Sequence, residues 1–262
     1  MRRLIAPTLA ALLLAPSLLH AQAVHQFGRG YYTLMGYKMN NGDLAASPAS
    51  HSLATERAVR LGASIWLLAV QFFIAQAVVQ SAWTTPFSLT QNFISDLGNT
   101  ACAPYPPGSG MYVCSPRHAW MNASFIVLGL TILLGGALIR AAFPRGWFRS
   151  LGLLLLALAG AGIIAVGLFP ENENIALHRL GAAGHFVLGN LGMAVLGMAL
   201  RQARGRQALA VYSIVSGVVG LLATALFITD HYLGLGIGGM ERVAAYPLPL
   251  WLIVAGLAHV RS

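Results

Sequence analysis

Apolar residues run through this chain in unbroken blocks rather than in alternation with polar ones. The blocks cover about 61–82, 119–141, 147–169, 180–200, 209–229 and 243–260. Each is close to or above the roughly 18–20 residues that cross a bilayer as a helix. Strands of an outer-membrane barrel would alternate polar and apolar positions, and these blocks do not. Helices also satisfy their own backbone groups in lipid. Pro247 and Pro249 interrupt the outer half of the last block and predict a kink there. The pattern therefore predicts an all-α integral membrane protein, a six-transmembrane-helix bundle over 58–262 preceded by a leader over 1–57.

Composition strengthens this reading. Hydrophobic residues make up 57% of the chain and charged residues only 9%, against about 25% charged in soluble domains. A soluble core of this length could not hide so much apolar surface.

Charge gives the expected orientation. Arg57, Arg60, Arg140, Arg145, Arg149, Arg201, Arg204, Arg206 and Arg261 flank one side of the six blocks, and only Arg117, Arg179 and Arg242 flank the other. Nine against three in short loops predicts that both ends of the bundle are cytoplasmic. The net charge of +9 follows from this topology and gives no reason to expect nucleic acid as a partner. Membrane lipids are the expected surroundings, and the oligomeric state is left open.

The first residues read differently. "MRRLIAPTLAALLLAPSLLHAQA" has the layout of a secretory signal, with Arg2 and Arg3, a short apolar stretch, and Ala21-Gln22-Ala23 as a cleavage site. A cleaved signal would leave the next segment outside, whereas the arginine bias places Arg57 and Arg60 inside. The expectation is a start further downstream, near Met39, or a signal that does not operate.

Three connections face outward on this topology, at roughly 83–118, at "FPENENIALH" and at "TDHYLGLGIGGMER". The two cysteines, Cys102 and Cys114, both lie in the first, around a Pro- and Gly-rich run. In an oxidising compartment they predict a disulfide. Ser115-Pro116 predicts a helix start with Ser as the cap and Pro at the first helical position.

The same connections gather the polar chemistry. Asp96, Glu171 and Asp230 follow the first, third and fifth spans, and His118, His178 and His231 sit at the heads of the spans that return. Five of the seven acidic residues are on this side. His118 and Asn122 are four apart and share a helix face. His178, Gly181, His185, Gly189 and Gly192 form one stripe whose small residues permit close packing, so His185 is expected to point into the bundle. An ionisable group at that depth is a functional candidate. A histidine satisfied by neighbouring polar groups is the competing explanation. Asp96, Asn99, His118, Asn122, Glu171, Asn172, His178, His185, Asp230 and His231 are the candidate ligand-binding set. Ser95, Asp96 and Glu171 are the catalytic candidates should the protein be an enzyme. The spans as delimited contain no acidic residue at mid-membrane, which argues against ion-coupled transport. Gln71, Gln76 and Gln80 in the first span are expected to hydrogen-bond between helices.

The motifs "ISDLGNTAC", "VCSPRHAWMNASFIVLG", "VGLFPENENIALHRLGA" and "GNLGMAVLGMAL" resemble the bacterial multi-pass membrane proteins grouped as domain of unknown function 998, over residues 58–260. The resemblance implies a helical bundle in the bacterial inner membrane and no established activity. A weaker likeness is to the seven-helix intramembrane metal hydrolases of the ceramidase and adiponectin-receptor type, which would imply zinc on His118, His178 and His185. The seven-residue spacing of His178 and His185 sets them about 10 Å apart on a straight helix, too far for one zinc unless the helix is broken. The functional expectation is an outward polar pocket for a lipid headgroup or small polar ligand, in a sensor, accessory or transport role. The alternatives are a periplasm-facing metal-dependent hydrolase acting on a lipid-like substrate, and a scaffold subunit.

Overall fold

Six apolar helices long enough to cross a membrane are present among the described residues, at Ser52–Gln80, His118–Ala142, Trp147–Leu168, Ile175–Leu200, Gln207–Ile228 and Gly236–Val260. The computed structural model describes residues 48–108, 110–201 and 203–260. The signal-like stretch and the start near Met39 lie outside the described residues.

Three of the six spans are interrupted. The first is built from α1 (Pro48–Leu67) and α2 (Val70–Gln80), joined where Leu68 N bonds Ile65 O at 2.9 Å and Gln71 N bonds Leu68 O at 3.0 Å. These tighter three-residue turns replace the ordinary helical ladder. The second and third spans are continuous for 22 residues each, α3 (His118–Ile139) and α4 (Trp147–Leu168). The fourth consists of α5 (Ile175–Ala183), a π-helical turn at Gly184–Leu188 and α6 (Gly189–Leu200). The fifth is α7 (Gln207–Ile228). The sixth is α8 (Gly236–Ala245), then α9 (Pro247–Val260). It breaks at Tyr246 because a proline at 247 opens a new helix far more readily than it continues one.

That last span corrects the sequence reading. The helix begins at Gly236 rather than near residue 243, so Glu241 and Arg242 sit on it instead of in the preceding loop, 6% and 8% exposed.

Glycine lets the helices approach closely. A Cβ on Gly129 would meet the Gly160 carbonyl, one on Gly162 the Gly181 carbonyl, and one on Gly152 would press on Leu196 and the Gly192 carbonyl. Packing at small residues is the main source of helix attraction in lipid. Around these contacts lies an apolar core that includes Trp66, Met121, Leu128, Leu156, Met193 and Trp251. Trp66 and Trp251 pack with ring centres 5.2 Å apart and planes tilted by 52°. Gln71 and Gln76 tie spans together as expected: Gln71 Nε2 donates to Ser124 O at 3.1 Å, and the Tyr246 hydroxyl donates to Gln76 Oε1 at 2.8 Å.

The connection over 81–117 folds back onto the bundle. It carries a 3₁₀ turn at Ser95–Gly98 and a short antiparallel pair, β1 (Ala103–Pro104) with β2 (Tyr112–Val113), in register Ala103 to Val113. The Cys102–Cys114 disulfide closes this hairpin. Ser115 does not cap α3. Its hydroxyl donates to Leu97 O at 2.7 Å, and the helix starts at His118. The serine thus fastens the 3₁₀ turn, which needs its carbonyl satisfied once buried.

Candidate polar cluster at one end of the bundle

The 3₁₀ turn is where the chain turns polar, and its geometry explains why. Four residues, Ser95 to Gly98, expose donors and acceptors that no long helix absorbs, so neighbours supply the partners. Asn122 Nδ2 donates to Gly98 O at 2.9 Å, and a Cβ at Gly98 would collide with the Asn122 amide. Glycine is required there by close approach.

Asp96 is fully buried. Its Oδ2 accepts from Asn92 Nδ2 at 3.1 Å and from Phe93 N at 2.9 Å. Glu171, on the connection between the third and fourth spans, is also buried. Its Oε2 accepts from the Ser95 hydroxyl at 2.8 Å and its Oε1 from Asn99 Nδ2 at 3.1 Å. The two carboxyl groups lie close enough for each to perturb the other, and Asp96 Oδ1 takes no donor from the described chain. Burial raises the Asp96 carboxyl above the ordinary range, against the pull of its hydrogen bonds from Asn92 and Phe93. Burial, and then the negative charge of Asp96, hold Glu171 well above it. Both acids therefore keep their protons to higher pH than exposed carboxyl groups do.

A ring of smaller bonds fixes the two connections to each other. Asn172 Oδ1 accepts from Thr100 N at 3.1 Å, and Asn172 Nδ2 donates to Thr100 Oγ1 at 3.0 Å. The Tyr105 hydroxyl donates to Glu171 O at 3.0 Å. Burial, reinforced by the Glu171 charge, pushes that phenol up to about 12.

The sixth span supplies what the sequence reading missed. Glu241 Oε2 accepts from Ile94 N at 2.6 Å. Arg242 NH1 donates to the carbonyls of Leu89, Asn92 and Gly238 at 3.0, 2.8 and 2.8 Å. Its guanidinium also lies 5.7 Å from the centre of the Phe87 ring. One arginine thus ties two carbonyls of the polar segment to its own helix, where it also meets Gly238 O. The signal was present in "GGMER", where Arg242 follows Gly238 by one helical turn and Glu241 follows Ile237 by the same step. The preceding glycines disguised it as a loop.

Below the acids lies a small cavity of ≈ 30 Å³, lined among others by Ser95, His178, His185 and Glu241. His178 and His185 are both buried, so the fourth-span stripe points inward as expected. His178 Nδ1 lies 2.9 Å from Phe169 O, and His185 Nδ1 lies 3.4 Å from Ala159 O. A carbonyl can only accept, so each Nδ1 carries the hydrogen and each Nε2 keeps its lone pair. The π-helical turn at Gly184–Leu188 breaks the straight helix on which the 10 Å separation was reckoned.

The remaining candidates are placed elsewhere. His118 is half-buried at the head of α3, and its Nδ1 has no hydrogen-bond partner among the described residues. Asp230 and His231 are exposed and bond locally. The Tyr232 hydroxyl donates to Asp230 Oδ1 at 2.5 Å, which pushes that phenol up to about 12, and His231 Nδ1 pairs with Thr229 O at 2.6 Å. Among the described residues, no three His, Cys, Asp or Glu side chains are gathered to hold a metal ion.

Comparison with known proteins adds one finding. No curated protein and no solved structure matches the chain. The family model described as "Protein of unknown function (DUF998)" matches residues 67–258, which takes in all of the polar cluster, the second half of the first span and nearly all of the other five. The chain belongs to the DUF998 family of multi-helix proteins.

Proposed function

We propose that this multi-pass membrane protein binds a small polar ligand or lipid headgroup at the polar end of its bundle, in a sensor, accessory or transport role. One observation carries the reading. The cavity has a mostly apolar lining into which four polar residues, Ser95, His178, His185 and Glu241, converge from three separate parts of the chain. An apolar wall with a few convergent polar groups is the usual make-up of a small-molecule site. The arginine distribution supports a bacterial inner-membrane location with this end facing outward. The geometry favours binding over metal-dependent hydrolysis. Among the described residues no three His, Cys, Asp or Glu side chains are grouped for a metal, and the Ser95 hydroxyl is committed to Glu171 rather than to a histidine base.

The test is the thermal midpoint of the purified full-length protein titrated separately with phosphatidylglycerol, phosphatidylethanolamine, glycerol 3-phosphate and methylammonium. Saturable stabilisation by at least one, weakened in Ser95→Ala, is expected. A flat response to all of them overturns the reading.

A further inference from the structure

We infer that the cavity beneath Ser95 recognises a primary ammonium group, an inference that rests on the ligand-binding reading above. The argument turns on which way each hydrogen bond runs. Ser95 gives its only hydroxyl hydrogen to Glu171, so its oxygen offers lone pairs. His178 and His185 give their Nδ1 hydrogens to backbone carbonyls, so their Nε2 atoms do the same. Glu241 is a carboxyl group already accepting from Ile94 N. All four polar liners therefore present acceptors, and a ligand that matches them must donate.

Charge and size narrow the class. The lining holds a carboxyl group and no lysine or arginine, which suits a cation. Phe72, Phe125 and Phe186 complete the wall, and aromatic faces attract cations. Rings alone would admit a trimethylammonium as readily as a primary ammonium. Volume decides between them. A space of ≈ 30 Å³ exceeds the 10–15 Å³ that one water requires. An ammonium group has about the bulk of water, whereas three added methyl groups would overfill the cavity. The three N–H donors of a primary ammonium find Glu241, the histidine nitrogens and Ser95 as partners.

Such a group could belong to a free amine or to the ethanolamine headgroup of a lipid, and the two sources are separable. The full-length protein is titrated with methylammonium and, in parallel, tetramethylammonium, with the thermal midpoint as readout. It is also reconstituted into discs of phosphatidylcholine with and without phosphatidylethanolamine. Stabilisation by methylammonium with none by tetramethylammonium, weakened at least tenfold in Glu241→Gln, is the expected result. Stabilisation by the ethanolamine lipid, reversed by competing free ethanolamine, assigns the source as lipid. Response to methylammonium with no lipid effect assigns it as a free amine. Equal response to both ammonium probes overturns the inference. So does the absence of response to either where a phosphate-bearing probe still stabilises, which leaves the ligand-binding reading standing. Glu241→Gln alone is a weak witness if it unfolds, so Ser95→Ala is titrated beside it, with loss of methylammonium preference expected there too.

Discussion

The hydroxyl of Ser95 donates to Oε2 of Glu171 at 2.8 Å across 76 positions of chain. That bond joins the connection after the first span to the connection after the third, and it also turns the serine lone pairs away from Glu171. Replacing Ser95 by alanine removes one of the two donors to a buried carboxyl, Asn99 being the other. The expected loss is about 1–2 kcal/mol, read as a lower midpoint in detergent unfolding. An unchanged midpoint would show that the bond contributes nothing.

Stability should fall as pH rises from acid toward neutral. Asp96 and Glu171 both titrate above the ordinary carboxyl range in the folded protein, near about 4 when unfolded. The folded state therefore binds more protons than the unfolded state over that interval. The contribution is complete below the unfolded values and is lost as pH passes the raised folded ones. Unfolding midpoints from pH 4 upward test the sign, and Glu171→Gln should flatten the slope. A rising profile contradicts the raised carboxyl groups.

Arg242 is expected to be the most sensitive position of the sixth span. Arg242→Met strands the carbonyls of Leu89, Asn92 and Gly238, which it now satisfies. A combined cost of about 3 kcal/mol or more follows from unpaired buried acceptors. Faster protease cleavage between residues 83 and 93 would accompany the lower midpoint, and wild-type resistance would refute the assignment.

Reduction of the disulfide should be measurable without any activity assay. The Cys102–Cys114 loop has a sequence separation of 12, so its opening costs about 3 kcal/mol on the chain-entropy account. Cys102→Ser with Cys114→Ser should match the reduced wild type. After reduction, a membrane-impermeant maleimide should label intact cells if this end faces outward.

Close packing predicts a further loss at Gly220. A Cβ there would collide with the Asn190 side chain, whose Nδ2 donates to Phe186 O at 2.7 Å and to Ala244 O at 2.9 Å. Gly220→Ala should cost about 1–3 kcal/mol. Pairing it with Asn190→Ala should recover the packing part of that cost in a double-mutant cycle, and strict additivity would argue against contact.

The spans were legible because hydrocarbon demands long apolar helices, and composition cannot disguise that. The inward aim of His178 and His185 was legible because small residues at helical spacing mark a packed face. The pairing of Asp96 with Glu171 was legible only as co-location on one end. Direct contact depends on how two connections fold, and no periodicity encodes that. Glu241 and Arg242 were hidden because glycines and charges before a helix read as loop, whereas tertiary partners in the 87–94 segment make helix the better solution. Asp230 and His231 looked equivalent to the other rim residues by position, yet they turned to each other's neighbours because their connection is short and exposed.

The π-helical turn at Gly184–Leu188 has a consequence for how this chain can vary. It adds residues to one turn of the fourth span, so the segment above aims His178 at the cavity while the segment below aims Asn190 at Ala244. A π-turn holds about one residue more than the α-helical turn it replaces, so deleting one residue such as Val187 would restore a regular helix with both halves near their present bearings. The same deletion in the regular helix above or below would swing one half against the other by about 100°, and one of the two alignments would be lost. The fourth span should therefore tolerate a lost residue at this turn before it tolerates one in either flanking helix.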